Sequence, residues 1–496
     1  MTDVVRVEPG RYHDSVTLLR ASAAARAVDG VETAIAAMGT ELNRGLVADA
    51  GFVLEGEVTP DDLVVAVRAA DEAGAQAAID AVEQALAERP RAGATAGGAA
   101  VPAHTVEAAL AQVPEAGIVV VSVPGPYAYV EAAAAVRAGR HVMVFSDGVD
   151  LDAEVALKRE ATAAGVLVMG PDCGTVILDG VGLGFANVVV PGPVGVVAAS
   201  GTGAQQLCGL LDGAGIGVRH VLGVGGRDLS AAVGGASTLA ALARLDDDPA
   251  VEVIALVSKP PAPEVAAVVQ AAAAACRTPV VLALVGPGRP TLTDAAAEVA
   301  AVLGQPFDPP GSWMPSTGAA PRPGPLLGLF SGGTNCVEAL YVLEDRIGPV
   351  RSNVHHDPAR RIGPDARSAG AHVLLDLGDD ELTVGRPHPM LDPTVVAGRL
   401  DAAATAAAGG PGVVLLDVVL GHGAHPDPAG VLAPAIDAAH RAGIPVVVTL
   451  VGTAGDPQGL DRQAHALVAA GAPVHRSNAA AAHHAADLVA AVRSST

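Results

Sequence analysis

GPVGVVAASGTGAQQLCGLL, residues 192–211, and GPLLGLFSGGTNCVEALYVL, residues 324–343, are two versions of one phrase. Each passes from Gly-Pro into an apolar strand, turns at Ser-Gly with a further glycine and threonine, and runs on with helical periodicity. A second pair follows at matching distance. VEVIALVSKPPAPEVAAVVQAAAAACRTPVVLALVG (251–286) answers GVVLLDVVLGHGAHPDPAGVLAPAIDAAHRAGIPVVVTLVG (412–452). Self-similarity of this kind marks a duplicated supersecondary unit. Both copies share the order strand, SG turn, helix, strand, Gly/Asp turn, helix, strand, helix, strand. Short turns between strands and helices give right-handed crossovers and parallel sheets. Two flavodoxin-like domains are therefore expected, over 191–303 and 324–492, joined by a Pro-, Gly- and Ser-rich stretch at 304–323. The second copy carries an insertion before Val373 that holds Arg351, His355, His356, Arg360 and Arg361. His355 and His356 are adjacent, so on a helix or strand they point apart and metal ligation is not expected.

Working outward, Ile118–Val123, His141–Phe145 and Val166–Met169 read as strands alternating with helices, which makes 104–190 a Rossmann-like domain. Residues 1–88 alternate strands with amphipathic helices and form a small N-terminal α/β domain; RPRAGATAGGAAVPA, 89–103, has linker composition. The fold class is α/β throughout. A chain of 496 residues suits three or four such domains, and its 50% hydrophobic content with only 2% aromatics suits Ala-rich helices packed closely on Val-rich parallel strands. The net charge of −23 repels a phosphate backbone, so nucleic acid is not an expected partner. The four cysteines, Cys173, Cys208, Cys276 and Cys336, form no CxxC pair. The N-terminus does not read as a signal peptide, and no apolar run has membrane-spanning length. A cytoplasmic chain that meets no membrane is expected.

In parallel sheets ligands gather at the carboxyl ends of strands. The turns there are the candidate sites. Ser200, Gly201, Thr202 and Gly203 in one copy, and Ser331, Gly332, Gly333 and Thr334 in the other, stand between strand and helix. They are either helix caps or cradles for an anion. Gly225, Gly226 and Arg227 form a Gly-rich turn suited to phosphate or carboxylate. Asp172, Cys173, Gly174 and Thr175 end the last Rossmann-like strand. Cys173 there is either a nucleophile or a small residue packed near a ligand. Asp376-Leu377-Gly378-Asp379-Asp380 with Arg386 and His388 forms a polar cluster that could move protons or hold a cation, or else a solvated loop. His422 and His425, in GHGAHPD, suit phosphoryl or proton transfer near neutrality. His483 and His484 look like surface residues of an Ala-rich helix.

The strings MGPDCGT, ASGTG, GGRDLS, VSKPP, SGGT, DLGDD and VGRPHPM occur in the order seen in the FdrA branch of the succinyl-CoA synthetase superfamily. The N-terminal RYHDSVTLL and AAMGTELN resemble that branch too. The resemblance implies a CoA-binding-type domain at 104–190, a ligase-type domain at 191–303, and a domain like the carboxy-terminal part of the synthetase β subunit after 324. It implies a subunit of oxamate carbamoyltransferase, which converts oxalurate and phosphate to oxamate and carbamoyl phosphate in allantoin catabolism. Phosphate would be a co-substrate, a small anion the ligand, and other subunits the partners, with self-association possible. The alternatives are an acyl-CoA synthetase using the GHGAH segment and a non-catalytic assembly or sensing subunit. The stretch matching the phosphohistidine segment of the synthetases, ALVGPGRPTLTDAAAE at 283–298, contains no histidine. Ser258-Lys259-Pro260 replaces their glutamate turn, and no Gly-rich CoA loop is recognisable before Thr105, so CoA is a possible cofactor only.

Overall fold

The structure is a computed structural model that describes residues 1–496 except 14, 55, 57, 88–102, 317–319, 364–369, 384–386, 406–409 and 494–496. The expected linker at 89–103 and Arg386 therefore lie outside the described residues, the linker save for Ala103. The chain forms two compact units: Met1–Pro102, and Ala103–Thr383 with His388–Thr496.

The first unit contains β1 (Thr2–Glu8), α1 (Ser15–Arg26), β2 (Val31–Met38), α2 (Glu41–Asp49), β3 (Leu63–Ala69) and α3 (Glu72–Ala87). Its sheet is antiparallel in the order β1-β3-β2. Side chains alternate across a strand. Leu63, Val65, Val67 and Ala69 therefore join α1 and α3 in one core, while Val64 and Ala66 join Val47, Phe52 and Val58 in another. β3 is buried on both faces because it is the central strand.

The second unit opens with α4 (Val106–Gln112), β4 (Ile118–Val121), α5 (Gly125–Arg137), β5 (His141–Val144), α6 (Leu151–Ala164) and β6 (Val168–Met169). These build a three-stranded parallel sheet, β4-β5-β6. The Asp150 side chain caps α6, and Gly165, at φ 68°, ends it. The hairpin β7 (Thr175–Leu178) and β8 (Val181–Gly184) pairs with the following sheet, where Ile177 opposes Val221.

That sheet belongs to the first copy: β9 (Val194–Ala198), α7 (Gly201–Gly213), β10 (Val218–Gly223), α8 (Ala236–Asp247), β11 (Val253–Ser258), α9 (Pro263–Ala275), β12 (Val280–Leu284) and α10 (Leu292–Val302). The second copy follows β13 (Ser312–Trp313). It comprises β14 (Leu326–Phe330), α11 (Gly333–Ile347), β15 (Val350–Ser352), β16 (His372–Asp376), α12 (Asp380–Thr383), α13 (Thr394–Thr405), β17 (Val413–Val419), α14 (Pro428–Arg441), β18 (Val446–Val451), α15 (Leu460–Ala469), β19 (Val474–His475) and α16 (Asn478–Arg493). The parallel strands run β12-β11-β9-β10 in one copy and β18-β17-β14-β16 in the other. The order is the same, as the repeated phrases require. The insertion supplies β15 at the outer edge, and β19 extends the opposite side.

β9, β11, β17 and β18 are buried along their whole length, the signature of strands covered on both faces by helices. A single hydrophobic cluster contains Val196, Leu207, Leu211 and Val299 of the first copy together with Phe330, Leu340, Leu343 and Ala482 of the second. The two copies thus share one core, with α7, α10, α11 and α16 between their sheets. Small side chains let the backbones approach: a Cβ on Gly209 of α7 would lie 2.9 Å from the carbonyl oxygen of Gly452.

Candidate functional site

The shared core fixes where the repeated turns end up. α7 and α11 meet tip to tip. Ser200 Oγ and Thr334 Oγ1 share a hydrogen bond of 2.5 Å, and a Cβ on Gly332 would lie 2.7 Å from Thr202. Ser200 also caps its own helix by accepting from Gly203 N at 3.0 Å. The amides of Ser200, Gly201 and Thr202 have no hydrogen-bond partner among the described residues. Neither do those of Gly333 and Thr334. Two positive helix ends therefore face a common point.

Charged groups gather at that point. A Cβ on Gly333 would lie 2.5 Å from Asp376 Oδ2 and 3.0 Å from Lys259 Nζ. The Lys259 ammonium makes no hydrogen bond or ion pair among the described residues. Asp376, at the end of β16, is buried, and burial pushes its pKa up to about 6, against the pull of Lys259. Asp417, in β17, is also buried and rises to about 6 for the same reason. Its carboxylate accepts from Ser331 N (2.6 Å), Gly332 N (3.2 Å) and Asn335 Nδ2 (3.0 Å). Asn353, from the insertion, brackets Asp376 by accepting from its N–H and donating to its carbonyl, each at 2.9 Å.

His388 lies against the same turn: a Cβ on Gly378 would be 2.5 Å from His388 Nε2 and 2.6 Å from Ser331 O. Burial lowers the His388 pKa to about 4, so it is neutral at pH 7. Its Nδ1 accepts from Met390 N at 3.2 Å, which leaves the ring proton on Nε2. Asp379 accepts from Glu381 N at 3.1 Å and so caps the short α12.

Other expected residues lie around this point or away from it. Thr175 Oγ1 would be 3.2 Å from a Cβ on Gly201, so the GPDCGT turn touches the SGTG turn. Gly225 packs on Pro171, and Gly226 faces Asp172. Cys173 is not a nucleophile candidate in this setting. It is buried against Gly223 O and Thr175 O, and burial pushes its pKa to about 12. Arg227 does not reach the turns' common point: its guanidinium pairs with Glu154 at 3.0 Å and donates to Val149 O. Glu154, Lys158 and Asp228 form a buried ion triad that ties the GGRD turn to α6. The GHGAH loop packs on the segment after β8. His422 N donates to Ala186 O, and His425 Nδ1 accepts from Asp427 N. His355 and His356 do not point apart; their rings stack at 4.9 Å, His355 against Glu344 and His356 against Tyr341. His484 is half-buried and bonded to His475 at 2.9 Å, not a surface residue.

Sequence reasoning missed Asp417, which is one polar residue inside an apolar strand; such a residue is the available signal. It gave Lys259 no role, because only the packing of the two copies brings that side chain to Gly333.

The geometry defines a duplicated α/β protein with paired strand-to-helix turns, and a family model makes its second copy CoA-ligase-type. Two family models match, "AllF, heavy metal-associated domain" over residues 1–102 and "CoA-ligase" over residues 329–488. The uncharacterized protein YahF of Escherichia coli K12 is 36% identical over 507 aligned positions, covering 95% of each chain. The chain belongs to the family of YahF, which is succinyl-CoA synthetase-like. The α subunit 1 of an ADP-forming succinate–CoA ligase from Archaeoglobus fulgidus is 37% identical over 90 residues, 18% of this chain and 31% of that one. An ATP citrate lyase structure from Methanothrix soehngenii matches 36% of this chain and 30% of its own, with 21% identity and a TM-score of 0.31. Among the described residues no helix is long and apolar enough to cross a membrane.

Two groups associated with such domains do not fit the residues present. Residues 1–102 contain no cysteine and a single histidine, His13, and the described residues include no cluster of three metal-ligating side chains. A soft metal lacks its donors there. At the carboxyl end of β5 the turn carries exposed Asp147 and Asp150, and Arg227, which reaches that turn at Val149 O, is paired with Glu154. This is a poor seat for the phosphates of CoA.

Proposed function

We propose that the meeting point of α7 and α11 handles an acyl phosphate, and that the chain is the phosphate-binding subunit of a carbamoyltransferase acting on oxalurate. The single observation behind this reading is a lysine ammonium, without an ion pair among the described residues, against the N-terminus of α11 where α7 meets it, together with a histidine whose Nε2 is already protonated. Such a site binds phosphate and stabilises a developing oxyanion. It does not invite phosphorylation of its histidine.

In the proposed reaction a phosphate oxygen attacks the carbamoyl carbon of oxalurate. The C–O bond forms, the tetrahedral intermediate collapses, and the C–N bond to the oxamate nitrogen breaks as that nitrogen takes a proton. The products are carbamoyl phosphate and oxamate. The Ser200, Gly201 and Thr202 amides and Lys259 would hold phosphate. His388 Nε2–H would donate to the carbonyl oxygen, and Asp376, with its pKa raised to about 6, would supply the proton to the leaving nitrogen. Partner subunits would complete the oxalurate site.

The CoA-ligase match over 329–488 favours a second reading, ATP-driven acyl-CoA synthesis. The chain, mixed with the products of neighbouring genes, should form carbamoyl phosphate from oxalurate only when phosphate is added. Incubation with radiolabelled ATP should leave its histidines unlabelled. Acid-labile phosphohistidine at His388, His422 or His425 would establish the ligase reading in its place.

A further inference from the structure

The duplication makes the two helix ends comparable residue by residue. α7 follows its cap Ser200, and α11 follows its cap Gly332. In the first copy Val257 of β11 lies opposite Ala198, two residues before the cap. In the second, β17 pairs Leu416 with Leu329, so Asp417 lies opposite Phe330, again two residues before the cap. Val257 and Asp417 thus hold equivalent positions. The environments agree: Val257 Cγ1 would be 2.9 Å from a Cβ on Gly203, the third residue of α7, while Asp417 bonds Asn335, the third residue of α11.

The consequences differ. Beneath α11 stands a carboxylate that accepts from Ser331 N and Gly332 N. Beneath α7 stands an isopropyl group, and Ser200 N, the equivalent of Gly332 N, has no partner among the described residues. Access differs in the same sense. Ser331, Gly332 and Thr334 are buried, whereas Ser200, Gly201 and Thr202 are partly exposed. The second copy's turn therefore shows an oxygen anion bound to its amides, supplied from within the chain.

We propose that Asp417 is a built-in counter-anion that occupies the Ser331 and Gly332 amides of the α11 turn and lowers its pull on a second anion, so that each chain takes one phosphate and takes it at the α7 turn. This rests on the reading of the site as a phosphate site. Asp417 is a positioning residue: it touches no ligand, and it decides which half of the duplicated site stays positive. Its charge also lowers the attraction of the whole site for an anion, since two negative charges held within several ångströms repel even in a partly polar interior.

The test is titration of the full-length chain with inorganic phosphate by calorimetry at pH 8, where both buried carboxyls are ionised. The wild type should bind one phosphate. Asp417→Asn, which keeps shape and removes charge, should bind phosphate about tenfold more tightly or take up a second equivalent. Val257→Asp should weaken binding by about tenfold or more. Thermal unfolding with and without phosphate checks both proteins, and phosphate should raise the midpoint of Asp417→Asn more than that of the wild type. Should Val257→Asp fail to fold, Asp417→Asn decides alone. One phosphate bound by Asp417→Asn with wild-type affinity overturns the inference. A wild type that binds no phosphate overturns instead the reading on which it rests.

Discussion

Replacing Gly332 by alanine tests the tip-to-tip contact of the two copies. Gly332 has φ −117° and ψ 115°, a conformation open to any residue, so the backbone adds no strain. The cost comes from contact: the new Cβ would lie 2.7 Å from Thr202 Cβ and Oγ1 and 2.8 Å from its Cγ2. Threonine is branched at Cβ, so rotation cannot clear all three atoms. Overpacking of this kind costs about 1–3 kcal/mol. Thr202→Gly removes every clashing atom, at a helix-propensity cost of about 1 kcal/mol. In a double-mutant cycle, Gly332→Ala should then cost at least ~1 kcal/mol less in the Thr202→Gly background. Trp313 is the single tryptophan and packs against the second-copy core, so its fluorescence during urea unfolding reports on this unit. Equal cost of Gly332→Ala in both backgrounds would refute the placement of the two turns.

The thiols give a second check: at pH 8 the native chain should react fastest with a disulfide reagent at half-buried Cys276, because Cys173, Cys208 and Cys336 are buried from the reagent, although burial raises the pKa of all four. Reaction of Cys173 at the rate of Cys276 would restore it as a nucleophile candidate. The pair His475–His484 predicts a pH effect. Burial holds His475 at about 4, below its unfolded value, so the unfolded chain binds the proton first and stability falls as pH drops from about 6.5 towards 4. Asp376 and Asp417, raised to about 6, act in the opposite sense over about pH 6 to 4. His475→Gln should therefore lose less stability than the wild type over that range, and identical pH profiles would contradict the burial of His475.

The strands and the duplication were legible because apolar runs bounded by glycine turns leave few alternatives, and VGVVAASGTG beside LLGLFSGGTN announces the repeat. The SG turns were legible as helix starts for the same reason. What each turn does was not legible, because it depends on partners far along the chain. Arg227 looks like an anion ligand beside its glycines, yet Glu154, on a different helix, takes it. Ser331-Gly332 looks as open as Ser200-Gly201, yet Asp417 closes it from a strand 85 residues away. Lys259 looks like a turn residue, and only the shared core of the two copies delivers it to Gly333. Periodicity reports which face is buried; it does not report which buried charges meet.

The central claim is that α7, α11 and Lys259 make one phosphate site. Lys259 is an exposed residue outside the hydrophobic clusters, so Lys259→Ala removes the charge without disturbing the core. Carbamoyl phosphate, or phosphate itself, titrated into the wild-type chain by calorimetry should bind at one site, and Lys259→Ala should weaken that binding by about tenfold or more, the loss of one charge-assisted contact. Equal affinity in the two proteins, or no binding to the wild type, would contradict the account.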